Sequence, residues 1–186
     1  MVKLIGAVLV GGTSSRMGSD KALINVGGRP LAQHGIDALV AAGIDDVMLI
    51  GATAAHGEQL SGRVVDDLWP GDGPVGGLLS ALHHGFLGGA SHVVGLACDL
   101  PAVTGADVVA LIGAWAEAAV TLVHVEGRPA PPNGVWPTRL LPRIESGFLD
   151  GADSFGAVLS GVDLVVHDGG AGFSDVDTPG DLARFL

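Results

Sequence analysis

The chain has 186 residues, 48% of them hydrophobic, with a mean hydropathy of +0.49, which suits one domain built around a substantial core. Its net charge of −11 argues against general binding to a nucleic-acid backbone, which needs a basic face, and no uninterrupted apolar stretch is long enough to span a membrane. The lone cysteine, Cys98, excludes an intrachain disulfide, and the N-terminus lacks the basic start and long apolar segment of a signal peptide, so the expected compartment is the cytoplasm.

The first predicted strand covers residues 3–10. It runs into Gly11-Gly12-Thr13-Ser14-Ser15-Arg16-Met17-Gly18-Ser19-Asp20-Lys21. Glycines without a Cβ let backbone N–H groups approach phosphate oxygens, while Arg16 and Lys21 bring permanent positive charge. The spacing is neither the dinucleotide Gly-x-Gly-x-x-Gly pattern nor a Walker A loop. A glycine-rich turn is often only a turn, but phosphate loops commonly follow the first strand of α/β folds.

A helix is predicted over 30–42, with Pro30 suited to its first turn. Strands follow at 47–50 and 63–66, then a helix at 76–86 with Leu78, Leu82 and Phe86 on one face. Residues 92–97 read as a central strand. In the helix predicted over 104–118, Thr104 is the cap and Asp107 favours the N-terminal end of the dipole. A strand at 120–125 precedes Arg128-Pro129-Ala130-Pro131-Pro132-Asn133, whose prolines predict a loop, and 134–136 is a short strand. Helices at 139–146 and 154–159, a strand at 164–167, and a helix from Thr178 to the C-terminus complete the chain. With no repeat and no linker, residues 1–186 are expected to form one domain: a largely parallel sheet with helices on both faces, binding ligands at the carboxyl ends of its strands.

Several polar motifs fall just after predicted strands: Asp66-Asp67, Gly71-Asp72-Gly73-Pro74-Val75-Gly76-Gly77, Cys98-Asp99-Leu100-Pro101 and Asp175-Val176-Asp177-Thr178-Pro179. Asp99, at the end of a buried strand, fits either a Mg²⁺ ligand or a turn cap. Asp177 is a candidate second ligand and Asp175 a weaker one, although both also suit the acidic start of a helix. Cys98 reads as a small buried hydrophobe. The seven histidines form no metal pattern, and Trp69, Trp115 and Trp136 read as packing residues.

These motifs resemble the molybdenum cofactor guanylyltransferases, within the nucleotide-diphospho-sugar-transferase-like nucleotidyltransferases. The similarity is carried by Val8-Leu9-Val10-Gly11-Gly12 through Ser15-Arg16-Met17-Gly18-Ser19-Asp20-Lys21-Ala22-Leu23, then Gly73-Pro74-Val75-Gly76-Gly77-Leu78, Cys98-Asp99-Leu100-Pro101 and Phe173-Ser174-Asp175-Val176-Asp177-Thr178-Pro179. The resemblance implies a Rossmann-like three-layer α/β/α fold with a mostly parallel mixed sheet. It implies GTP as donor, molybdopterin or its molybdenum form as acceptor, Mg²⁺ as cofactor, and molybdoenzymes or other cofactor-biosynthesis proteins as protein partners. Carried over by position, Leu9, Gly11, Gly12 and Lys21 would bind the nucleotide, with Arg16 and Lys21 neutralising the triphosphate. Asp66 would face guanine or its ribose, and Asp99 would hold Mg²⁺. The sequence departs from the family's pattern at Gly51, where an Asn is usual, at Asp175 and Asp177, where two Asn are usual, and at Pro131-Pro132, where His-Pro is frequent. A related cytidylyltransferase or sugar-phosphate nucleotidyltransferase, or a non-catalytic GTP-binding partner of a molybdoenzyme, is the alternative.

Overall fold

The structure is a computed structural model that describes residues 2–11, 20–117 and 119–185. Its main sheet uses β1 (Leu4–Leu9), β4 (Val47–Ile50), β5 (Arg63–Val65), β6 (His92–Ala97), β7 (Val120–Val125), β8 (Arg128–Pro137) and β9 (Leu164–Asp168). Two short strands, β2 (Asn25–Val26) and β3 (Arg29–Pro30), make a separate hairpin. The seven strands lie in the order β5-β4-β1-β6-β8-β7-β9. Only β8 runs against its neighbours, so the sheet is mixed and mostly parallel.

Alternation along the strands sorts side chains onto two faces. Ile5, Ala7 and Leu9 of β1 join Met48 and Ile50 of β4 under α3 (Gly73–Leu87), α5 (Leu141–Leu149) and α6 (Phe155–Val158). Val8 and Val10 join Val47 and Leu49 on the opposite face, under α1 (Leu31–Ala41) and α4 (Gly105–Gly113). Helices on both faces complete three layers. Among the described residues no helix is long and apolar enough to cross a membrane.

The proline-rich segment is a strand, not the predicted loop. β8 pairs with β7 at Arg128–Pro129 and again at Gly134–Val135, with a register shift between. Pro131 and Pro132 occupy that shift, where the ladder asks for no N–H from them. Among the α-helices and strands, two further elements have no counterpart in the expectations. One is α2 (Ala54–Gln59). The other is the β2–β3 hairpin, whose turn residues Gly27 and Gly28 have φ of +59° and +86°. The predicted 104–118 helix stops at Gly113, and the last helix, α7 (Pro179–Leu182), is one turn. The helix predicted from residue 76 begins instead at Gly73, which places Pro74 in its first turn.

The cap expected for α4 is present and reciprocal. Thr104 N–H and Oγ1–H donate to Asp107 Oδ2 at 2.9 and 2.6 Å, and Asp107 N–H donates to Thr104 Oγ1. Thr104→Ala is expected to lower unfolding stability by about 1 kcal/mol, with Thr104→Ser close to the parent, as read by urea denaturation.

Candidate active site

Register brings the motifs to one edge. Leu9 of β1 lies opposite Ile50 of β4 and Ala97 of β6, and Val65 of β5 lies opposite Ile50. Gly11, Gly51, Asp67 and Asp99 therefore emerge together at the carboxyl ends of four adjacent strands. Gly11 and Gly51 touch backbone to backbone. A Cβ on Gly51, where φ is +73°, would stand 2.6 Å from Gly11 Cα. Only glycine fits there, so an Asn at 51 would push the phosphate loop's first residue away from the sheet.

Two adjoining pockets open over this edge. The first, about 500 Å³, is lined by Leu9, Gly11, Ile50, Gly51, Asp67 and Gly77, among others. The second, about 520 Å³, is lined by Ala97, Asp99, Arg128, Pro131, Asn133 and Asp175, among others. Pro74, in the first turn of α3, contributes to both. Each lies within the usual size range of small-molecule sites.

Beside them sits a charged cluster. Lys21 Nζ donates to Asp99 Oδ2 at 2.6 Å and to Asp177 Oδ1 at 3.0 Å. Lys21 and Asp99 are both largely shielded from solvent, whereas Asp177 is exposed. Burial alone would lower the Lys21 pKa, but its hydrogen bonds to Asp99 and Asp177, and their charges, outweigh that and hold it above its ordinary value. The side chain is therefore an ammonium across the physiological range. Asp99, Asp175 and Asp177 each bring an oxygen within 4.8 Å of the others, and the buried Oδ1 of Asp99 has no hydrogen-bond partner among the described residues.

A family model described as "MobA-like NTP transferase domain" matches residues 6–163. The chain belongs to that family. It is therefore a nucleotidyltransferase. A protein of Deinococcus radiodurans named "Probable molybdenum cofactor guanylyltransferase" is 33% identical over 99% of this chain and 94% of its own length. One of Rhizobium johnstonii named "Molybdenum cofactor guanylyltransferase" is 34% identical over 77% of this chain and 68% of its own. The solved structure of molybdopterin-guanine dinucleotide biosynthesis protein A from Archaeoglobus fulgidus shares the fold, with a TM-score of 0.74 and 22% identity over 96% of this chain and 95% of that one. A nucleotidyl transferase from Methanothermobacter shares it at a TM-score of 0.78 and 18% identity over 98% and 95%.

Within this MobA-like frame, Leu9 and Gly11 line the first pocket and Lys21 and Asp99 pair directly. Asp177 joins them. Gly12 and Arg16 lie outside the described residues. Asp66 is exposed, and its carbonyl accepts from His84 Nε2 at 2.8 Å. Its neighbour Asp67 is the carboxylate that lines the first pocket, fixed by Ser80 Oγ and the N–H of Trp69 on Oδ1. The resemblance pointed to Asp66, but successive side chains point to opposite sides, and in the assembled sheet Asp67 is the one that lines the pocket. Sequence reasoning also missed Asn133, which accepts from Ala97 N–H and donates to Ala130 carbonyl, both at 2.8 Å, tying the end of β6 to β8. Cys98 is inert: burial first, then the charge of Asp99, push its thiol to about 12.

Partial desolvation, and next the charges of Asp177 and Asp99, push the Asp175 carboxyl upward. A carboxyl whose folded pKa exceeds its unfolded one destabilises the native state while ionised, and the penalty fades as pH falls through the folded pKa. Asp175→Asn is therefore expected to raise Tm at about pH 7 and to change it little at about pH 3. Scanning calorimetry at both values checks this; a lower Tm in the variant at neutral pH would show that Asp175 is held favourably.

Proposed function

We propose that the chain transfers the GMP part of GTP to a phosphate of molybdopterin or its molybdenum form, releasing pyrophosphate, within one nucleotidyltransferase domain over residues 1–186. The observation that carries this reading is the pair of pockets joined at Pro74, with Asp99 lining one and paired to Lys21. It supports a donor nucleotide in the first pocket and an acceptor in the second, meeting where charge can be neutralised.

In the donor pocket, Leu9 and Gly11 contact the nucleotide, and Asp67 takes the part the sequence assigned to Asp66: its free carboxylate oxygen accepts from guanine N–H groups. Gly12, Arg16 and Lys21 grip the triphosphate. The long Lys21 stem lets its ammonium exchange a carboxylate oxygen for a phosphate oxygen. The oxygens of Asp99, Asp177 and Asp175 suit a hard cation, and the unpartnered Asp99 Oδ1 is a ready ligand atom. Mg²⁺ held by Asp99 and Asp177 would supply positive charge against the phosphate oxygens.

An acceptor phosphate oxygen attacks the α-phosphorus of GTP. The bond from that phosphorus to the bridging oxygen breaks, and pyrophosphate leaves with the electron pair. The chain contributes positioning and charge, and no protein nucleophile is required.

The test follows pyrophosphate release from GTP and Mg²⁺ with molybdopterin as acceptor. The parent is expected to turn over, Lys21→Ala and Asp99→Ala to lose about 100-fold or more, and Asp67→Asn to bind GTP about tenfold more weakly. Parent-like turnover in Lys21→Ala or Asp99→Ala overturns the mechanism. Release only with CTP or a sugar phosphate would favour the related transferases, and GTP binding without release from any acceptor a non-catalytic partner.

A further inference from the structure

One guanidinium on the wall of the second pocket has no partner among the described residues. Nine lysines and arginines serve a chain of net charge −11. Among those described, Arg29, Arg63 and Arg184 pair with aspartates, Lys3, Arg139 and Arg143 donate to backbone carbonyls, and Lys21 is held as above. Arg128 has neither kind of partner, although Asp99 and Asp175 line the same pocket. It is also the one cation among the described residues of that lining. Its backbone is firmly placed. Arg128 pairs with Val125 of β7 across the tight turn Glu126-Gly127, whose φ angles are +50° and +75°, and Pro129 follows it. This stretch of β8 pairs only with β7, whereas Asp99 lies just beyond the end of β6.

We propose that Arg128 selects the acceptor: its guanidinium pairs with negative charge on the acceptor away from the phosphate that reacts. The inference rests on the acceptor assigned to the second pocket above. The reacting phosphate must reach Lys21 and Asp99, so the charge left for Arg128 is the acceptor's other one, which in molybdopterin lies on the dithiolene sulfurs. An exposed arginine is ordinarily a solvated surface charge, and its pairing in open water is worth little. Here Pro129, Pro131 and Pro132 wall the pocket and exclude water from one side of a bound ring, which strengthens a charge pair beside it. The carboxylates of Asp99 and Asp175 repel an anionic acceptor, and nothing else in the described lining carries a charge that attracts it.

The test measures pyrophosphate release with GTP and Mg²⁺ saturating and molybdopterin varied. Arg128→Gln is expected to raise the KM for molybdopterin about tenfold, with kcat and the dissociation constant for GTP unchanged. Arg128→Glu should lose more, and Arg128→Lys should stay within about threefold of the parent. Rising NaCl should raise the acceptor KM more steeply in the parent than in Arg128→Gln, a difference that a merely structural role would not produce. A pterin phosphate without the sulfurs should inhibit the parent and Arg128→Gln equally. An acceptor KM in Arg128→Gln like the parent's, a loss shared by GTP binding, or stronger inhibition of the parent by that pterin overturns the proposal. A parent that binds GTP but turns over no molybdopterin overturns instead the acceptor reading, and the role of Arg128 with it.

Discussion

One ammonium holds three distant stretches of chain together. Lys21 follows the phosphate loop, Asp99 lies just beyond β6, and Asp177 precedes the last helix, yet the two carboxylates meet the same nitrogen. Removing it would leave three carboxylates within 4.8 Å of one another with their main counter-charge gone. The C-terminal segment, anchored by buried Phe173 and Val176, is thus also tied to a residue near the start of the chain. The backbone bond from Val176 N–H to the Asp99 carbonyl reinforces it.

Much of this was legible in the sequence because it is written locally. The buried strands β1, β4 and β6 are continuous apolar runs that end in glycine or aspartate, and such runs state both their extent and where their ligands gather. The Thr104–Asp107 cap is likewise a short-range pattern. What failed was non-local. The prolines of β8 read as a loop because proline removes a donor, but whether a donor is needed depends on the register with β7, which only the assembled sheet fixes. Which of Asp66 and Asp67 lines the first pocket depends on how the chain leaves β5 in the assembled sheet, and two adjacent aspartates do not display that in the sequence. The helix α2 is too short and too glycine-containing to announce itself.

On the proposed reading, the acceptor side explains why the donor half dominates the sequence signal. Glycine-lined phosphate contacts use backbone, so the residues are constrained to lack side chains, as Gly11 and Gly51 show. The second pocket is instead walled by Pro129, Pro131 and Pro132, with Arg128 at its rim. Prolines offer a flat apolar surface and no N–H, so a planar ring can lie against them without leaving donors unpaired.

Charge balance sets the order of events on the proposed reading. Among the described residues the cluster offers three carboxylates against one ammonium, in a chain of net charge −11. A bare triphosphate approaching this edge meets more negative charge than positive, and Lys21 is already engaged by Asp99. A divalent cation held by these carboxylates would supply positive charge there, and Lys21 would then be free to turn to phosphate. Metal and nucleotide should then bind with positive coupling, each lowering the cost of the other. The acidic residues at 175 and 177 strengthen that coupling, since they add repulsion that a cation relieves.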